Sequence, residues 1–137
     1  MGTQENKVVV RRFIDEIFVK GNADAAPKLV TPHFTPHSWP TVPPGVDALK
    51  QAIRRVHAAL SDVSMKIEDM IAEDDKVAVR LTAHGKHQGD FMGLPASGKE
   101  YTISETHIFH LQDGKISEHW RDADMLGLMR QLGANPS

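Results

Sequence analysis

Apolar residues recur at three and four along the first half of the chain and at two along the second, and the change falls near Ser64. From Val8 to Lys20, the residues Val9, Val10, Phe13, Ile14, Ile17 and Phe18 share one helical face, and Gly21-Asn22 closes the run. A short second helix is expected over Ala23 to Val30, broken by Pro32. The stretch from Thr31 to Gly45 holds Pro32, Pro36, Pro40, Pro43 and Pro44, which predicts a loop with little regular structure. Leu49, Ile53, Val56 and Leu60 then mark a third helix over Asp47 to Leu60. Beyond it, Ser64 to Ala72, Lys76 to Gln88, Glu100 to Gln112 and Lys115 to Asp124 alternate in twos and predict an antiparallel meander. Met125 to Leu132 reads as a closing helix ended by Gly133, with Pro136 beyond. Helices followed by a curled antiparallel sheet predict an α+β domain over 1–137. The expected shape is a cone-shaped barrel, its N-terminal helices packed on a strongly curved antiparallel sheet and its open end available to a ligand.

The last two strands meet at Asp113-Gly114, a dipeptide suited to a type I′ turn, in which both central residues need positive φ. With an unbulged two-residue turn, Leu111 faces Ile116, Phe109 faces Glu118, His107 faces Trp120 and Glu105 faces Asp122. Parity then gathers Glu105, His107, Glu118, Trp120 and Asp122 on one surface, apolar near the turn and acid-base farther from it. Such a surface suits a small-molecule pocket with general acid/base chemistry. The same parity sends Arg80 and Arg121 to the outer face, together with Thr102, Thr106, Ile108 and His119. That face is moderately polar and long-stranded, so a homodimer formed sheet against sheet is expected.

Composition narrows the functional classes. A net charge of −2 over 137 residues leaves no basic field for nucleic acid or an acidic membrane. The absence of cysteine excludes thiolate nucleophiles, thiolate metal sites and disulfides. The N-terminal run carries charges throughout, unlike a signal peptide, and no segment has the apolar length of a membrane span, so a cytoplasmic location is expected. Eight histidines invite a metal, but His84/His87 and His107/His110 are three apart on predicted strands and point to opposite faces. No metal site is expected.

Four strings carry a family resemblance: Ile71 to Arg80, Gly85 to Gly98, Phe109 to Trp120, and Gly127 to Gly133. They resemble the SnoaL-like polyketide cyclase family, also called ester cyclase-like, of the nuclear transport factor 2-like superfamily. The resemblance implies a cofactor-independent cyclase or isomerase acting on a hydrophobic, polyketide-like carbonyl compound. It also implies catalysis by an Asp/His acid-base pair, for which His107 and Asp122 are the candidates, with Asp124 and Glu105 as rivals of Asp122 for the base. His37 and Trp39 would form a pocket rim, and His87, Phe91, Glu105, Glu118 and Trp120 would complete the substrate wall. A hydrolase, or a small-molecule binding module without turnover, is the alternative on the same fold.

Overall fold

The computed structural model describes residues 2–39 and 41–134, so Pro40 and Pro136 lie outside it. Helix α1 (Thr3–Phe13) continues into a π-helical stretch, Ile14–Val19. The wider winding shows in Lys20 N–H donating to the Asp15 carbonyl at 2.9 Å. A 3₁₀ turn, Ala23–Ala25, leads into α2 (Ala26–Leu29). Helix α3 (Val46–Ala59) follows Gly45, whose φ of 114° admits glycine far more readily than other residues. It buries Leu49, Ala52, Ile53 and Ala59; of the residues whose spacing predicts it, Leu49 and Ile53 lie on that buried face, Val56 is half-buried and Leu60 falls just past the helix end. Helix α4 (Met125–Gln131) closes the fold.

Four long strands form the expected meander: β2 (Leu60–Glu73), β3 (Lys76–His87), β4 (Glu100–Gln112) and β5 (Lys115–Ala123). Register shifts between Ser61 and Ser64 and between Ile67 and Asp69 interrupt the β2–β3 ladder, and such irregularities bend a strand and sharpen its twist. On β3 and β4 the burial alternates strictly, so Val77, Val79, Leu81 and Ala83 face inward beside Tyr101, Ile103, Glu105, His107 and Phe109. Phe13, Phe34 and Phe109 are fully buried with Ile17, Leu49 and Ile53 between the helices and the sheet.

The proline-rich stretch departs from its expectation. Val30–Pro36 forms β1, which lies at the sheet edge and pairs parallel with β5 through Val30/Ile116 and Pro36/His119. Pro32 and Pro36 fit there because an edge strand needs ladder donors on one side only. The sheet is therefore five-stranded and mixed, in the order β1-β5-β4-β3-β2. No helix among the described residues is long and apolar enough to cross a membrane.

Candidate active site

Asp113 and Gly114 have φ of 50° and 80°, as the turn requires, and the first two pairs, Gln112/Lys115 and Leu111/Ile116, are those expected. The ladder then slips by one residue. His110 pairs with Glu118, Phe109 with His119, His107 with Arg121 and Thr106 with Asp122. Ser117 is the extra residue, and its hydroxyl donates to the His110 carbonyl at 3.1 Å. This bulge reverses the parity of everything beyond it on β5. His119 and Arg121 turn inward, while Glu118, Trp120 and Asp122 take the outer parity.

The expected partnership of His107 and Asp122 on one face is thus corrected. Asp122 has the outer parity and is exposed, yet from the strand end it still lines the cavity. Trp120 and Glu118 leave the substrate wall altogether. Trp120 stacks on His37 with ring centres 4.5 Å apart, and the Glu118 carboxylate accepts from His37 Nε2 at 2.9 Å. His37 accordingly belongs to this outer cluster instead of the rim. Hydrogen bonding from His37 lowers the Glu118 pKa. His87 is inward-facing and fully buried, but it braces the following loop, with Nδ1 2.8 Å from Ser97 Oγ, and does not line the cavity. Asp124 caps α4 by accepting from Gly127 N–H at 2.9 Å. Trp39, Phe91, Glu105 and His107 do line the cavity.

That cavity has a volume of about 780 Å³, ample for a drug-sized ligand. Phe18, Ile53, Val56, Met65, Phe91 and Ile103 form much of its apolar wall. The π-helical stretch helps to place Phe18, whose carbonyl accepts a hydrogen bond from His57 Nε2–H at 2.9 Å. Phe18 in turn packs against His107 and His119, with ring centres 5.4 Å and 5.8 Å away.

A continuous polar network crosses the inner wall. The Arg121 guanidinium grips Glu105 with two bonds, Nε to Oε1 at 3.1 Å and Nη2 to Oε2 at 3.0 Å. His107 Nε2 lies 2.8 Å from Glu105 Oε1, and His107 Nδ1 lies 2.8 Å from His119 Nε2. Burial pushes the Glu105 carboxyl upward, but the hydrogen bonds from His107 and Arg121 and the Arg121 charge prevail and hold it at about 2. Glu105 is an ionised anchor, poorly suited to take a proton at neutral pH. His119 is driven well below the usual imidazole range by burial, reinforced by His107 and Arg121. An ionised Glu105 can only accept, so His107 donates to it through Nε2–H. Where His107 Nδ1 carries no proton, His119 donates to it through Nε2–H and keeps Nδ1 as an acceptor.

His119 and Arg121 are the inner residues that the sequence reading misses. Ser117 continues the alternation of its neighbours, so no residue type announces the bulge.

The profile of the SnoaL-like polyketide cyclase family matches residues 8–132. The chain belongs to that family. Among its relatives, the aklanonic acid methyl ester cyclase DauD of Streptomyces sp. (strain C5) is 28% identical over 91% of this chain and 80% of its own length. The nogalonic acid methyl ester cyclase of Streptomyces nogalater is 31% identical over 65% of this chain and 67% of its own. Among solved structures, TsrD from Streptomyces laurentii superposes with a TM-score of 0.90 at 30% identity, covering 98% of this chain and 99% of its own. The family's cone-like α+β fold is thus shared over nearly the whole chain.

Proposed function

We propose that this SnoaL-like protein closes a carbon ring within a hydrophobic, polyketide-like carbonyl compound by acid-base catalysis, without a cofactor. The observation that carries the reading is the Arg121–Glu105–His107–His119 network on the wall of a largely apolar cavity. A carbon flanked by carbonyls gives its proton to His119 Nδ1; the Nε2 proton shifts to His107 Nδ1, and the positive charge comes to rest beside Glu105. The enolate oxygen is held by Arg121, whose side chain keeps 37% exposure although Glu105 is almost fully buried. Its carbon attacks a second carbonyl of the same molecule, and the new alkoxide recovers the proton. Two opposite charges form together, each next to a fixed partner. Product and substrate have the same mass.

Asp122 is the second candidate base, favoured by its exposed position at the cavity border. The test is incubation with aklanonic acid methyl ester, the compound in the relatives' names, with ring closure followed as a chromatographic shift at constant mass. His119→Gln is expected to lower the rate by ~10²–10⁴-fold, the usual scale for losing a general base, while Asp122→Asn retains most activity. The reverse result would move the base to Asp122. Binding without conversion in every variant would favour a ligand-binding module. The long outer face of the sheet supports a homodimer, for which light scattering at micromolar concentration is expected to give twice the chain mass.

A further inference from the structure

Tyr101 stands one turn of the inward alternation beyond Ile103, on the same face of β4 as Glu105 and His107. Its β3 partner is Gly85. A side chain at Gly85 would collide with the phenol: an added Cβ would lie 2.5 Å from the hydroxyl oxygen and 2.8 Å from the ring carbon bearing it. The ring therefore lies across the bare backbone of β3, and Gly85 is what makes room for it. Tyr101 lines the cavity with Glu105, His107, His119 and Arg121, yet its hydroxyl takes no part in the hydrogen bonds that join those four. A phenol fixed this way has a donor left for a ligand.

We infer that Tyr101 is a catalytic residue which donates its O–H to the substrate oxygen that becomes negative, sharing that oxyanion with Arg121. This rests on the acid-base reading above and extends it to a second donor. The phenol suits the role because it stays protonated: burial first, then the charge of Glu105, pushes it up to about 12. A donor that cannot lose its own proton stabilises an oxyanion without competing for the base. Arg121 alone is a limited oxyanion site, since two of its N–H groups already serve Glu105.

The probe is alizarin, a flat hydroxyanthraquinone whose visible band moves to longer wavelength when its hydroxyl ionises. Bound to the wild-type protein, its apparent pKa should fall below the value in water, because the bound oxyanion gains donors. Tyr101→Phe removes only the hydroxyl and keeps the ring over Gly85. It should bind the dye with a pKa higher than in the wild type by about one unit, the scale of one hydrogen bond to a charged group. Gly85→Ala, which pushes the phenol off β3, should shift it in the same direction. Arg121→Lys should shift it independently of Tyr101. An unchanged pKa in Tyr101→Phe, with the Arg121→Lys shift present, would overturn the assignment of Tyr101 and leave the acid-base reading standing. A dye that ionises as in water on the wild-type protein, or does not bind, would overturn both.

Discussion

Glu105 is the residue on which the inner wall depends, because it accepts from His107 and Arg121 while only 4% exposed. An ion buried to that degree survives only if its partners replace water. Removing Arg121 leaves the carboxylate with His107 alone. Arg121→Gln is expected to cost about 1.5–3 kcal/mol in urea unfolding, the range for hydrogen bonds to a charged group. The larger ~3–5 kcal/mol of fully enclosed pairs does not apply, because the guanidinium side chain retains 37% exposure. Combining it with Glu105→Gln should recover part of the loss, since the stranded charge goes too. Strict additivity of the two substitutions would mean that the ion pair is not what holds them together. Trp120 shows the opposite case at the same scale. It lies between His37 and His110, with ring centres at 4.5 Å and 4.6 Å, and its placement follows from parity alone.

At the scale of elements, the strands were legible because alternation survives whatever a strand packs against, and Asp113-Gly114 announced its own turn. The bulge was not legible. Ser117 is small and polar, compatible with either face, and what stabilises it is a bond to the His110 carbonyl across the ladder. β1 was hidden for another reason, since Pro32 and Pro36 argue against a strand unless its place at the edge is already known. Deleting Ser117 should remove the slip and leave a regular ladder in which Glu118 still pairs with His110 and His119 with Phe109. In a Trp39→Phe background, acrylamide quenching of Trp120 is then expected to match that of the undeleted protein. Loss of quenching, with the indole drawn into the core, would contradict the bulge account. Helix α4 offers a second check. Asp124→Ala should cost ~1 kcal/mol through the lost N-cap, and Asp124→Asn much less; a large effect of the Asn variant on ring closure with stability intact would return Asp124 to the list of bases.

Over the whole molecule, the cone was readable from the order of elements and from apolar residues giving way to polar ones along β3 and β4. The identity of its polar wall was not, because one inserted residue decides which half of β5 looks inward. That wall should govern how stability responds to acid. His119 binds its proton well below the 6.5 of a free imidazole when folded, so the unfolded chain takes up that proton first as pH falls through 6.5, and folding loses stability from there downward. Glu105 moves from 4.5 to about 2 on folding. Its contribution is complete above 4.5 and fades as pH falls toward 2, on the order of 3 kcal/mol in all. Glu118 acts in the same direction through His37, but its partly exposed setting screens the effect. Urea midpoints measured from about pH 8 down to pH 3 should therefore decline in two stages. His119→Gln is expected to flatten the first stage and Glu105→Gln the second. A wild-type midpoint that stays level between about pH 7 and pH 5 would mean that His119 is not kept neutral by its burial, and the proton relay would lose its acceptor.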